Sequence, residues 1–498
     1  MNIKEAKEEL KHTVQAYLKK DEDGIYRIPA VRQRPMLLIG PPGIGKTQIM
    51  EQVARECRIG LISYTITHHT RQSAVGLPFI REEEFDGTTH SVTEYTMSEI
   101  IASVYRKIKE TGLREGILFI DEINCVSETL APAMLQFLQC KTFGNQAVPE
   151  GWVIVAAGNP PEYNKSVRDF DMVTLDRVRY LEISADYGVW KEYALSRGLH
   201  RAILSYLELR EGNFYRVESD VDGMQFVTAR GWEDLSSLLY LYEEMDIPVT
   251  EDTVYEFLHH REVAEDVAAY LELYRKYQDD YGIEEILKGR VSAQIYARIY
   301  EAAFDERISV TNLLLDGVNR RFLRAQKEKH ETDLWYEFLK EFRAGIETAE
   351  DAGMFYESLL AEREAALARE QKEGFLSEKE AVEKKKLFAQ IQKFSPGSEQ
   401  AAQGAKECFL AAKCGFDEKQ MALETAETEA SEALEAAFDF MEQAFSDGQE
   451  LVVFVTELTM GSASAEFLAE HTSERYLNYN RELMIGSRRA ELLKELQR

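Results

Sequence analysis

The chain has few cysteines and few basic residues for its length. Its 498 residues include 5 cysteines, 59 lysines and arginines, and 88 aspartates and glutamates, for a net charge of -29. An odd number of cysteines without zinc-type spacing argues against a disulfide framework or a zinc site, and it suits a reducing cytosol. The acidic balance argues against a protein that coats nucleic acid or an anionic membrane, since both need basic surface.

Long apolar runs are missing too. No stretch approaches the roughly eighteen apolar residues of a membrane span, and the N-terminus is charged and amphipathic, unlike a signal peptide. These absences predict a soluble, cytoplasmic protein. The length predicts roughly two to four domains.

The most specific motif is GPPGIGKT at Gly40–Thr47, which fits the phosphate-binding loop pattern G-x-x-x-x-G-K-[ST] at every fixed position. The apolar run Met36–Ile39 predicts a buried strand before it, and the apolar spacing between Ile49 and Cys57 predicts a helix after it. This order aims backbone N–H groups at a bound phosphate. Lys46 would reach the outer phosphates and Thr47 would ligate magnesium.

A second motif follows another apolar run. Ile117–Ile120 lead into Asp121 and Glu122, which places two carboxylates at the C-terminal edge of a parallel sheet, where open α/β folds bind their ligands. Asp121 would hold the magnesium, mostly through water, and Glu122 would polarise the attacking water. An ordinary acidic turn is the alternative. The residues predicted to bind nucleotide are Gly40, Pro41, Pro42, Gly43, Ile44, Gly45, Lys46, Thr47, Gln48 and Asp121, with Thr47 and Asp121 as the magnesium ligands.

A third apolar run, Val153–Ala157, predicts a strand that ends beside Asn159. A polar residue at that strand tip could hydrogen-bond the attacking water or the terminal phosphate. An ordinary turn residue is the alternative for Asn159.

Together these motifs resemble those of the AAA+ ATPases and, within them, the MoxR branch. The resemblance covers about residues 25–290 and rests on four segments: GPPGIGKT from Gly40, ILFIDEIN from Ile117, AAGNP from Ala156 and LDR from Leu175. It implies that Asn159 is the sensor-1 residue and that Arg177 is the arginine finger that reaches a neighbouring subunit's nucleotide. It also implies that Arg230 is the sensor-2 arginine of the lid. Arg168 or Arg179 could replace Arg177 as the finger, and a surface salt bridge is the alternative for Arg177 and Arg230.

The resemblance implies an α/β fold in which a P-loop AAA+ core with a parallel sheet precedes an α-helical lid and an all-α C-terminal region. We place the core and its N-terminal helix at residues 1–187, the lid at 188–290, and an acidic, helical or coiled-coil region at 291–498. Residues 341–393 are dense in Ala, Glu, Lys and Leu, which favours a solvated helical arm. The connection from His68 to Tyr95 is longer than usual and predicts a functional insertion.

The resemblance further implies an ATP hydrolase that uses ATP and Mg²⁺ and acts as a chaperone-like remodeller or activator of a protein partner. Relatives in the MoxR branch typically act on proteins with a von Willebrand factor type A domain. The resemblance implies a ring, commonly a hexamer, with ATP at subunit interfaces. ATP is favoured over GTP because Asn164-Lys165-Ser166-Val167 lacks the aspartate of a guanine reader.

Two functions from other classes stay open. One is a nucleotide-gated scaffold with little turnover, since a motif cannot give a rate. The other is a nucleic-acid motor, which the acidic residues in the insertion disfavour.

Overall fold

A computed structural model describes residues 1–68, 74, 76–143, 146–163, 167, 170–220, 223–349, 351–397, 404–446 and 448–483. The chain divides into two compact units. The first unit comprises residues 1–189 and 366–381, and the second comprises residues 190–365 and 382–498.

The first unit contains the predicted nucleotide-binding core. Its elements in chain order are helix α1 (Ile3–Tyr17), strand β1 (Met36–Ile39), helix α2 (Lys46–Cys57), strands β2 (Gly60–Thr65), β3 (Pro78–Phe85) and β4 (Thr88–Tyr95), helix α3 (Glu99–Thr111), strand β5 (Gly116–Asp121), helix α4 (Ala131–Cys140), strands β6 (Thr142–Phe143), β7 (Gln146–Ala147) and β8 (Trp152–Gly158), the short helix α5 (Met172–Leu175) and strand β9 (Arg179–Glu182).

Helix α1 begins with a capping box: the Asn2 side chain accepts a hydrogen bond from the Glu5 N–H, and the Glu5 carboxylate accepts one from the Asn2 N–H. Its apolar face is buried, as the spacing predicts, through Ala6, Leu10, Val14 and Tyr17.

The main sheet has the strand order β2-β5-β8-β1-β9. All of its described neighbours run parallel, with Leu37 opposite Ala156 and Ile117 opposite Val153. Every residue of β1 and β8 is buried, because helices cover both faces of a parallel sheet. Strand β8 therefore lies between β5 and β1, so the tips of these three strands meet at one edge.

The predicted insertion contains a separate two-stranded hairpin, in which β3 pairs antiparallel with β4 from Pro78 opposite Tyr95 to Phe85 opposite Thr88. At its base, Leu77 N–H donates to the Thr96 hydroxyl at 2.8 Å and Thr96 N–H donates to the Leu77 carbonyl at 2.9 Å. The hairpin is therefore anchored where it joins the core.

The second unit is mostly helical. The remaining elements are helices α6 (Tyr187–Arg197) and α7 (Arg201–Leu209), strands β10 (Arg216–Asp220) and β11 (Gly223–Val227), and helices α8 (Ala229–Glu244), α9 (Glu251–Leu258), α10 (Arg261–Tyr281), α11 (Ile283–Ile286), α12 (Ala293–Glu301), α13 (Phe304–Gly345), α14 (Ala352–Glu373), α15 (Glu378–Gln392), α16 (Ala405–Phe445), α17 (Gln449–Met460) and α18 (Ser462–Glu470). Most of them belong to the second unit, while the start of α6, the end of α14 and the start of α15 belong to the first. The predicted fold class is confirmed. The antiparallel β10–β11 pair is a departure, since the lid was expected to be helical throughout.

One hydrophobic core joins helices on both sides of residue 290. Tyr274 and Ile286 belong to the same buried cluster as Leu314, Phe438 and Phe454. The hydrophobic core is therefore continuous across residue 290. The boundary between a lid and a C-terminal region at this residue stays a prediction.

Buried charges cross the same junction. The Lys191 ammonium lies 2.8 Å from the Glu208 carboxylate and 2.5 Å from the Glu457 carboxylate. The Arg201 guanidinium lies 3.3 Å from Glu457, whose side chain is 2% exposed. Two cations and two anions thus balance each other inside the unit, as buried charges require.

Helices α13 and α16, with 42 and 41 residues, pack against each other in antiparallel directions. Arg324 pairs with Glu429 near the middle of both helices, and Arg343, near the end of α13, lies over the ring of Phe409, near the start of α16. Between them the Lys419 ammonium meets Glu328 at 2.7 Å and also pairs with Glu331. A polar side chain at such a seam favours one register of the two helices.

The predicted solvated arm has its own core. Tyr356 and Leu360 on α14 and Ile391 on α15 are buried together with Phe342 and other residues of α13 and α16. The expectation of a solvated arm at 341–393 is wrong for this part, because its apolar positions pack against the long helices.

Among the described residues, no single helix is long and apolar enough to cross a membrane. Helices α17 and α18 reach the required length and composition only as a pair bent by 84°. Leu451, Phe454 and Phe467 on this pair are buried in the hydrophobic core of the second unit.

Candidate functional site

The phosphate-binding loop connects the end of β1 to the start of α2. At Gly40 an added Cβ would lie 2.6 Å from the Ile183 carbonyl oxygen, which no side chain tolerates. Gly45 has φ = +93° and immediately precedes α2, so glycine suits the left-handed turn that points the first N–H groups of α2 into the loop. The N-terminus of a helix favours binding of an anion such as phosphate.

Lys46 is held inside this loop and is 8% exposed. Its ammonium donates to the carbonyls of Gly40 at 2.7 Å and Pro41 at 2.8 Å, and to the Asn159 side-chain oxygen at 3.0 Å. The lysine therefore links the loop to the tip of β8.

The strand order explains this contact. Because β8 lies between β1 and β5, the residue that follows β8 reaches both neighbouring strand tips. The Asn159 side-chain oxygen accepts a hydrogen bond from Lys46. Next to it, at the tip of β5, the Asp121 carboxylate accepts a hydrogen bond from the Thr47 hydroxyl at 3.1 Å. The structure thus brings together Lys46, Thr47, Asp121 and Asn159, as the motifs predicted.

Glu122 has an unusual backbone conformation, with φ = +56°. A non-glycine residue in this region is uncommon and often marks a functional position. Its N–H donates to the Asp121 carboxylate at 2.9 Å, and its own carboxylate accepts a hydrogen bond from the Thr67 hydroxyl at 3.0 Å. Thr67 follows β2, the neighbour of β5, so the sheet places the two side chains side by side.

Two residues of this arrangement were not predicted as site residues from the sequence. Thr67 contacts Glu122, and Asn124 donates from its amide to the Asn159 carbonyl at 2.8 Å. Asn124 is 6% exposed, and its side-chain oxygen is buried without a hydrogen-bond partner among the described residues. The asparagine at the end of ILFIDEIN was a visible signal, but its contact depends on β5 and β8 being neighbours.

The three candidate finger arginines have different surroundings. Arg177 is exposed just after α5, and its guanidinium donates to the Gln139 side chain. Arg179 donates to the Thr13 hydroxyl at 2.8 Å and pairs with Glu9, so helix α1 of the same chain occupies it. Arg168 lies outside the described residues. The choice of Arg177 stays a prediction, supported by its exposure.

The short helix α5, which precedes Arg177, is capped at its N-terminus by Asp171. The Asp171 carboxylate caps α5 by accepting a bond from the Thr174 N–H at 2.7 Å. Hydrogen bonds from the Thr174 hydroxyl and from the Thr174 N–H lower the pKa of Asp171, and the nearby Arg177 charge acts in the same direction.

Arg230, the predicted sensor-2 residue, lies in the first turn of α8 in the second unit and is exposed. Thr228 caps this helix by accepting a hydrogen bond from the Gly231 N–H at 3.3 Å. The role of Arg230 stays a prediction.

Lys141 supports the segment that precedes β1. Its ammonium donates to the Ala30 carbonyl, and burial lowers the pKa of Lys141 to about 8. No carboxylate in the described part of the chain pairs with this half-buried ammonium, so its desolvation, which disfavours the charged form, lowers the pKa.

The oxygen donors at the site fit a magnesium ion. The Thr47 hydroxyl and the Asp121 carboxylate are hard ligands, and they already lie 3.1 Å apart. Magnesium prefers such ligands, completed by water and phosphate oxygens, and it neutralises phosphate charge when bound.

The comparison with protein families agrees with this geometry. Residues 36–174 match the model of the AAA family, the ATPase family associated with various cellular activities. The match begins at β1 and ends within α5, so it includes the loop, Asp121, Glu122 and Asn159 but neither Arg177 nor Arg230. It supports an AAA+ P-loop ATPase. The search of curated proteins gave no match.

Proposed function

We propose that this chain is an ATP hydrolase of the MoxR type that remodels or activates a protein partner. The observation that carries the proposal is the convergence of Lys46, Thr47, Asp121, Glu122 and Asn159 at one edge of the sheet. These are the groups that phosphate binding, magnesium binding and water activation require.

In this proposal each group has one task. The loop N–H groups and Lys46 would bind the β- and γ-phosphates of ATP, and Thr47 and Asp121 would hold Mg²⁺. Glu122 leaves the Thr67 hydroxyl and accepts a proton from the attacking water. Asn159 donates its amide to the terminal phosphate or positions the water.

We further propose that the active form is a ring, with six subunits as the first expectation, in which Arg177 reaches the nucleotide of the neighbouring subunit. Its guanidinium would stabilise the charge that develops on the transferred phosphoryl group. A client with a von Willebrand factor type A domain belongs to the same proposal, which rests on the family resemblance.

The test is the ATPase rate per subunit measured against protein concentration, with molecular mass recorded over the same range. We expect the rate to rise as the chain assembles. Lys46→Ala should abolish nucleotide binding, whereas Glu122→Gln should bind ATP without hydrolysing it. A flat, near-zero rate in an ATP-bound monomer would instead favour the nucleotide-gated scaffold.

A further inference from the structure

The hairpin formed by β3 and β4 presents two different faces. Side chains alternate across a strand, and the antiparallel register assigns each pair to one face. We define face A as the side with Phe79, Arg81, Glu83, Phe85 and their partners on β4. Face B is the opposite side, with Pro78, Ile80, Glu82, Glu84, Thr89, Ser91, Thr93 and Tyr95.

Face A is partly covered by its own side chains. Arg81 lies 3.6 Å from Glu94 and 4.0 Å from Glu83, and the rings of Phe85 and His90 are 6.0 Å apart. Glu83, Val92 and Glu94 are only partly exposed as a result.

Face B has no such cover, since all eight of its residues are exposed. Ile80 is 75% exposed and Tyr95 is 41% exposed. Among the described residues, neither Glu82 nor Glu84 has a basic partner. A two-stranded hairpin is only marginally stable by itself in water, so a partner that covers face B would stabilise it.

We propose that face B docks an extended, basic segment of a protein partner. Charge complementarity supports this docking: residues 78–95 carry five carboxylates and one arginine, and Glu82 and Glu84, which pair with no basic residue that the structure describes, lie on the same face as Ile80. Basic side chains of the partner pair with Glu82 and Glu84 while an apolar side chain covers Ile80. The short polar residues Thr89, Ser91 and Thr93 leave room for a strand to lie flat.

This inference deepens the proposed function by giving the chemistry of the partner, but the binding itself needs no nucleotide. It is measured with the full chain and a labelled twelve-residue peptide in which lysine alternates with valine or threonine. A peptide with glutamate at each lysine position and a single-stranded oligonucleotide are the other two probes.

The variants decide the test, because a net charge of -29 attracts any basic peptide to some extent. We expect Glu82→Gln/Glu84→Gln and Ile80→Ser each to weaken binding of the basic peptide roughly tenfold, which corresponds to losing two exposed ion pairs or one apolar contact. The matched control Glu22→Gln/Glu150→Gln removes two exposed carboxylates from other segments and should leave the affinity within twofold. The proposal would be overturned if Glu22→Gln/Glu150→Gln weakened binding as much as Glu82→Gln/Glu84→Gln. It would also be overturned if the glutamate peptide or the oligonucleotide bound as tightly as the basic peptide.

A second measurement does not depend on affinity. A photo-crosslinking residue at Ser91 on face B should label the peptide, whereas the same residue at His90 on face A should not. Equal labelling from both positions would contradict docking on face B. If the unmodified chain bound the peptide through face B but showed no ATPase activity, the proposed function would be refuted and this inference would stand.

Discussion

Asn124 provides a sharp test of how the site is organised. Its amide donates to the Asn159 carbonyl at 2.8 Å, and this bond fixes the backbone from which the Asn159 side chain reaches Lys46. In Asn124→Ala the buried carbonyl loses its donor, which costs about 1–3 kcal/mol in stability. The substitution also removes the buried side-chain oxygen of Asn124, which has no hydrogen-bond partner among the described residues. Removing this unsatisfied group offsets part of the loss in stability.

The larger effect should be on catalysis. If Asn159 hydrogen-bonds charged phosphate or the attacking water, its loss of position removes about 1.5–3 kcal/mol of transition-state stabilisation. That corresponds to a fall in kcat of roughly tenfold to a hundredfold. Affinity for a fluorescent ATP analogue should change little, because the loop and Lys46 remain intact.

A double-mutant cycle distinguishes an effect of Asn124 on the position of Asn159 from an effect on the stability of the whole protein. In an Asn159→Ala background, Asn124→Ala should lower kcat only slightly, since the group that it positions is already missing. Asn124→Leu keeps the branched shape and the number of side-chain heavy atoms and removes the hydrogen bond, so it should match the alanine variant in kcat. Fully additive losses in the cycle, or normal kcat in the leucine variant, would refute the reasoning.

Three further predictions concern other parts of the chain. Arg177→Ala should bind ATP but lose hydrolysis, and mixing it with Glu122→Gln should restore activity; no recovery in mixed samples would argue against a shared site. Glu457→Gln should lower the urea-derived free energy of unfolding by about 3–5 kcal/mol, because Lys191 and Arg201 lose their shared carboxylate, whereas exposed Glu466→Gln should stay within about 0.5 kcal/mol. The unfolded chain binds more protons than the folded chain between the lowered pKa of Lys141, about 8, and its ordinary value of 10.5, so stability should rise with pH across that window. Lys141→Met should flatten this rise, and an unchanged pH profile of the melting temperature would exclude the burial effect.

Much of the site was predictable because its residues lie in short motifs at strand ends. Lys46, Asp121 and Asn159 each follow an apolar run, and parallel strands place such tips at one edge. The contacts of Thr67 and Asn124 were not predictable in the same way, because they depend on which strands are neighbours. The surroundings of Arg179 depend on helix α1, about 170 positions earlier, which no local pattern reveals.

In the second unit too, the sequence predicted helices but not which helices pack against each other. Apolar periodicity predicted long helices near residues 341–393, but not that Tyr356 and Leu360 would pack against α13. An apolar stripe at helical spacing shows that something covers it without identifying the partner. The β10–β11 pair was missed because its short strands carry no strong alternation between buried and exposed residues.

The length of α13 has a mechanical consequence. At 1.5 Å per residue its 42 residues span about 63 Å, and antiparallel pairing with α16 stiffens it along that length. A rigid rod amplifies small angles: turning its base by about 10° would carry its far end through about 11 Å, or two helical turns.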